Sequence, residues 1–231
     1  MSGEVLAGDQ AFGISPEECK SLVNKVKPLV DSGVQLGIVI GGGNIFRGAA
    51  LVQDGLERVN ADYIGMMATL MNAITLNSYF NKSGLKSHVL SSLSVHQVSE
   101  IFNAQNAKKY LDNGEIVIFA GGTGNPYFTT DTAAALRALE IEADILLKAT
   151  KVDGIYTADP EKDPNAEKFD SITFDIALEK NLNVMDMTAF ALCRDNDLPV
   201  YVFNIKTENS LSEIAEGHNI GSLIKKDFSN G

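Results

Sequence analysis

The sequence has 231 residues, room for one large α/β domain or two small ones. Its 45 % hydrophobic and 21 % charged residues are the balance of a folded globular chain, which excludes a disordered tail. Nineteen Lys and Arg against thirty Asp and Glu leave a net charge of −11, which excludes a general binder of nucleic acid or anionic membrane. A small phosphorylated ligand stays open, because a local cradle of amides and a few cations overrides a distant field.

Strand and helix signals alternate along the chain. Ser15-Pro16-Glu17-Glu18 combines an N-cap, a proline in the first helical position and a glutamate three residues after the cap. Leu22, Val26, Leu29 and Val30 form one apolar face, and Asp31-Ser32-Gly33 closes that helix. Residues 36–40 read as a first buried strand. A long helix follows, and its Met66, Met67, Leu70, Met71 and Ile74 read as core packing in preference to a methionine cofactor site. Further strands are expected at 87–90, 116–120, 144–148 and 200–203. Further helices are expected at 98–111, 130–142, 174–180, 187–195 and 211–216. The strands lack polar alternation, the mark of strands covered on both faces. The expected architecture is therefore α/β, three layers with a mostly parallel central sheet, in one domain spanning 1–231.

Cys19 and Cys193 lie far apart with no C-x-x-C or neighbouring histidine, so they read as two reduced thiols. No apolar run approaches the ~20 residues of a membrane span. The segment Met1-Ser2-Gly3-Glu4-Val5-Leu6 has neither the basic nor the apolar region of a signal peptide. A soluble cytoplasmic protein is expected.

In open α/β sheets ligands sit at the carboxyl ends of the strands, and two strands here run into glycine clusters. One is Gly41-Gly42-Gly43-Asn44-Ile45-Phe46-Arg47-Gly48; the other is Gly121-Gly122-Thr123-Gly124-Asn125-Pro126. Glycine lets backbone approach a ligand and turn its N–H groups toward an anion. Arg47 can add a planar, two-pronged contact to phosphate. The first cluster lacks the Lys-Ser/Thr ending of a P-loop, and Phe46 occupies the last position of a G-x-G-x-x-G frame, so neither common nucleotide fingerprint applies. After the 144–148 strand come Lys148, Lys151, Asp153, Tyr156 and Asp159, which suit an adenine-nucleotide pocket or, equally, a solvated loop with Asp-Gly and Asp-Pro turns.

Together these stretches resemble the bacterial-type uridylate (UMP) kinases of the amino-acid kinase superfamily. The resemblance is carried by Ile40 to Gly48, Thr123-Gly124-Asn125-Pro126-Tyr127-Phe128-Thr129-Thr130-Asp131, Glu140 to Asp144, Lys148 to Gly154, Ala158-Asp159-Pro160, Val184-Met185-Asp186 and Pro199 to Asn204. It implies transfer of a phosphoryl group from ATP to UMP, giving ADP and UDP in pyrimidine nucleotide synthesis. By position, UMP falls to Gly42, Asp62 and the run from Thr123 to Thr130. ATP falls to Ser2, Gly3, Gly43, Arg47, Thr150, Tyr156 and Asp159, with Arg47 also catalytic. Gly8-Asp9-Gln10-Ala11-Phe12-Gly13 matches the family segment linked to activation by GTP. Mg²⁺ carried by the nucleotide, inhibition by UTP and a homohexamer are further implications.

The residue chemistry fits. A UMP phosphate is mostly ionised at pH 7, its second pKa being ~6, so no general base is needed. Catalysis becomes alignment of two polyanions and neutralisation of spreading charge. Asp62 can accept ribose hydroxyls or complement a helix dipole, and Thr129 and Thr130 can bind ligand or cap a helix. Asp131 and Asp186 are polar candidates without an assigned role. Family members open with a strand ending in Lys-x-Ser-Gly-Glu; this sequence opens at Met1-Ser2-Gly3-Glu4, without that strand or its lysine. The expectations are a longer native chain or, alternatively, a catalytically impaired uridine-nucleotide regulator.

Overall fold

The computed structural model describes residues 1–227 apart from Asp159, Glu161 and Asn183, with the side chains of residues 49–51 also left aside. The chain divides into two compact units, residues 1–133 and 134 onward.

The first unit starts with a short helix α1 (Glu4–Ala7) and then α2 (Pro16–Asp31). Ser15 caps α2 as its sequence demands, its hydroxyl accepting from the Glu18 N–H at 3.3 Å. Strand β1 (Gly37–Val39), α3 (Gly48–Gln53), the long α4 (Arg58–Lys82), β2 (Ser87–Ser91), β3 (Glu100–Ile101), α5 (Ala104–Asp112) and β4 (Ile116–Ala120) follow. The sheet order is β1-β4-β2-β3 and every pairing is parallel. All five β4 residues are buried, which fits an uninterrupted apolar strand at a sheet centre. Met1 donates its amino group to Val39 O at 2.7 Å and accepts from Gly41 N at 3.0 Å, so the first residue lies along the end of β1. Helix α6 (Thr130–Glu140) crosses from the first unit into the second.

The second unit contains β5 (Leu146–Thr150), β6 (Ile155–Tyr156), β7 (Lys168–Phe169), β8 (Ser171–Thr173), α7 (Phe174–Glu179), α8 (Met187–Asp195), β9 (Val200–Asn204), α9 (Ser210–Ala215) and β10 (Ser222–Lys225). Its sheet runs β5-β9-β10-β8, parallel except for the antiparallel β9–β10 pair, and β6 and β7 form a separate antiparallel ribbon. Val200, Val202 and Ile224 pack there with Phe174 and Phe190, whose rings meet edge to face at 5.0 Å.

The α/β class with parallel strands is as expected. Three local expectations need correction. The helix expected at 98–111 begins only at Ala104, because the Asn103 side chain accepts from the Asn106 N–H and sets the start there, while Glu100–Ile101 pairs with β2. Strand β5 lies two residues later than expected, starting where Leu146 N–H meets Pro199 O. Met66 and Leu70 are buried, but Met67 and Met71 are 50 % and 54 % exposed, so only one side of α4 is core.

Candidate functional site

The two glycine turns frame a cavity of about 550 Å³ within the first unit. The turn after β1 supplies Gly42, Gly43 and Phe46, the first half of α4 supplies Arg58, Asp62 and Met66, and the segment after β4 supplies Gly122, Thr123 and Asn125. Phe128, Thr129 and Thr130 complete that side.

Adjacent glycines have different tasks. A Cβ on Gly42 would lie 2.8 Å from both Ala68 Cβ and Gly65 O, so the turn sits on α4 only because that side chain is missing. A Cβ on Gly43 would meet no heavy atom within 4 Å, which leaves that side of its backbone open to a ligand. A buried amide pair fixes the turn from behind. Asn72 donates to Gly41 O at 2.7 Å and exchanges hydrogen bonds with Asn44 at 2.7 and 3.0 Å. Asn44 also donates to Gly13 O at 2.9 Å, and its carbonyl takes the Gly13 N–H at 2.7 Å. The Gly8–Gly13 loop is thereby tied to the turn.

On the other wall, Thr69 receives the Gly121 N–H at 2.8 Å and donates to Met66 O at 2.7 Å, pinning the second turn to α4. Gly121, Gly122 and Gly124 all have positive φ. Tyr127, with φ 73°, adopts the same region without being glycine, and its N–H is held by Asp62 Oδ2 at 2.8 Å. Thr129 acts as a cap, its hydroxyl accepting from Asp131 N at 3.1 Å and Thr132 N at 3.2 Å at the start of α6.

Of the expected UMP residues, Gly42, Asp62, Thr123, Asn125, Phe128, Thr129 and Thr130 line this one cavity; Gly124, Pro126 and Tyr127 shape the segment without being lining residues. Arg47 is not a lining residue. Its guanidinium reaches out to Glu4 at 3.0 Å and to Gly43 O at 3.3 Å, with 66 % of the side chain exposed. Gly3 packs so closely on this turn that a Cβ would meet Gly41 O at 2.6 Å, and Ser2 Oγ accepts from Glu4 N at 3.3 Å.

The sequence reading missed Arg58, which with Asp62 supplies the charge among the described lining residues. The available signal was the i, i+4 spacing of Arg58 and Asp62 on a helix.

In the second unit, Thr150 turns its hydroxyl to Val152 O at 2.6 Å at the end of β5. The Tyr156 hydroxyl donates to Asp153 at 2.6 Å, and Lys168 lies 3.4 Å from the same carboxylate. This bond to Asp153 raises the Tyr156 pKa, and the bond from Tyr156, with Lys168 adding to it, lowers that of Asp153. Asp159 lies outside the described residues. Asp186 is a helix cap, accepting from Thr188 N and Ala189 N at 2.9 and 3.0 Å.

Residues 2–204 match the model of the amino acid kinase family. The chain belongs to the amino acid kinase family. It is 50 % identical over 227 residues to a curated uridylate kinase from Ectopseudomonas mendocina (strain ymp), covering 98 % of this chain and 92 % of that protein. Among solved structures, UMP kinase from Bacillus anthracis matches with a TM-score of 0.95 at 35 % identity, over 98 % of this chain and 94 % of that one. UMP kinase from Ureaplasma parvum matches with a TM-score of 0.92 at 37 % identity, over 97 % and 96 %. Among the described residues no helix of this family member is long and apolar enough to cross a membrane.

Proposed function

We propose that this chain is a UMP kinase, transferring the terminal phosphoryl group of ATP to UMP and releasing ADP and UDP. The observation that carries this reading is the convergence of Gly42, Asp62 and much of the Thr123–Thr130 run on one cavity, in a chain half identical to a uridylate kinase. The acceptor phosphate is its own nucleophile, ionised near neutral pH, and needs no base from the protein. The chain's work is to hold it in line and to offer positive ends to the charge that spreads over the transferred group. The open Gly43 backbone suits this, as does Arg47, whose surface pair with Glu4 is weak enough to exchange for a phosphate. The donor is ATP with its Mg²⁺, and the family resemblance assigns it Ser2, Gly3, Gly43, Arg47, Thr150, Tyr156 and Asp159.

Activation by GTP through Gly8–Gly13 and inhibition by UTP are part of the same reading. The Asn44–Asn72 pair supports it, since a ligand that moves Gly13 pulls on the hydrogen bonds that shape the Gly41–Gly43 turn. So is a homohexamer in the cytoplasm, in a step of pyrimidine nucleotide synthesis. From Tyr63 to Asn81, α4 carries no charged residue, and Val59, Tyr63, Met67 and Met71 make an exposed apolar stripe along it, which supports self-association. Light scattering of wild type and of Met67→Glu/Met71→Glu tests this; a smaller assembly is expected for the variant, and an unchanged mass counts against the stripe.

The activity test is ADP release from MgATP with UMP, CMP, 2′-deoxy-UMP or carbamate as acceptor. Turnover selective for UMP is expected. Turnover with carbamate and not with UMP would overturn the assignment.

A further inference from the structure

Arg58 and Asp62 face the cavity one helical turn apart on α4. Arg58 Nε lies 2.9 Å from each oxygen of Asp62. Oδ2 also takes the Tyr127 N–H, and the Arg58 guanidinium carbon sits 5.5 Å from the centre of the Tyr127 ring. One cation thus contacts both the carboxylate and the aromatic residue that the carboxylate holds. Tyr127 has the positive φ that a bulky side chain keeps only under restraint.

The geometry leaves room for a ligand. An ionised carboxylate has about four acceptor positions, and only two donors reach Asp62, the Arg58 Nε–H shared between its oxygens and the Tyr127 N–H, so a hydroxyl can still bind. The bond to Arg58 restricts where that remaining lone pair points. A lysine would supply charge there without the planar guanidinium that fixes the direction of the Nε–H.

We infer that Arg58 is a specificity-determining positioning residue, whose hold on Asp62 and Tyr127 aims the carboxylate at a ribose hydroxyl and so lets the cavity tell a ribonucleotide from its deoxy analogue. This rests on the reading of the cavity as the UMP site. Arg58 acts through Asp62 and does not need to touch the phosphoryl group in transit.

Calorimetric titration of UMP, 2′-deoxy-UMP and 3′-deoxy-UMP into wild type, R58Q, R58K, D62N and R58Q/D62N tests the inference. Wild type is expected to prefer UMP over at least one deoxy analogue by about tenfold or more, the worth of one hydrogen bond to a charged group. R58Q should reduce that preference to within about threefold by weakening UMP alone, and R58K should fall between. The double variant should keep the preference of D62N, because Arg58 has nothing further to orient once the carboxylate is gone. A uniform loss of affinity for all three ligands in R58Q, or multiplying effects in the double variant, would overturn the inference. Equal wild-type affinity for the three ligands would do so as well. If wild type binds no UMP, the reading of the cavity itself falls, and this inference with it.

Discussion

The two units solve the same packing problem and differ in how they leave their strand ends. In the first, an all-parallel sheet delivers two glycine turns to α4, and Gly42, Thr69 and Asn72 fasten them there. The result is an open cavity whose backbone shape is already fixed. In the second, the sheet mixes parallel and antiparallel pairs, and candidate side chains already hold protein partners: Thr150 the Val152 carbonyl, Tyr156 the Asp153 carboxylate, and Asp153 the Lys168 ammonium. The first region is organised before any ligand arrives. In the second, a ligand must exchange for existing hydrogen bonds, which lowers the net gain from each new one. Substitutions should therefore act on binding most strongly in the first unit.

The sharpest break is at the first turn. Gly42→Ala should displace the turn from α4, lowering stability by about 1–3 kcal/mol as overpacking does and weakening UMP by tenfold or more. Gly43→Ala, next to it, meets no atom within 4 Å, so its unfolding midpoint should match wild type while nucleotide binding falls. Denaturant unfolding and UMP titration of the pair measure this; equal stability loss in both variants contradicts the division of tasks. In the second unit, Tyr156→Phe removes one hydrogen bond to a half-exposed carboxylate. Its stability should drop by less than ~1 kcal/mol, with UMP affinity unchanged and only the KM for ATP altered.

A smaller effect should appear away from both turns, at the start of β4. Glu115 is buried, and its pKa is lowered first by the hydrogen bond from Lys86 and then by the contact of His88 Nε2 at 2.6 Å. A carboxyl whose folded pKa is depressed adds stability above its unfolded value and loses it as pH falls through the folded one. Thermal melts of wild type and Glu115→Gln should differ at pH 7, begin to approach one another below the ordinary glutamate value of 4.5, and merge only as the pH falls through the lower folded value. A gap that widens with acidification would contradict the assignment of Lys86 as the stabilising partner.

Much of this was legible before any coordinates. The cap at Ser15, the buried run of β4 and both glycine turns follow from local chemistry that tertiary structure had no reason to override. The acceptor segment was legible only by resemblance, because the left-handed Tyr127 is imposed from a distance of 65 residues by Asp62. Short pairings such as Glu100–Ile101 and Ile155–Tyr156 carry too few residues to show a period. The exposed methionines of α4 were unreadable as such, since Met66 and Met67 are identical neighbours of which one is buried and the other half exposed. Arg58 was hidden for a related reason: its role depends on which face of α4 meets the cavity.

The most direct test of the account is hydrogen–deuterium exchange of the intact chain with and without UMP. The account predicts protection of amides in Gly41–Gly48 and in Thr123–Thr130, with no protection of the Thr150–Thr157 segment. Protection of that second-unit segment alone, or none in either glycine turn, would contradict it.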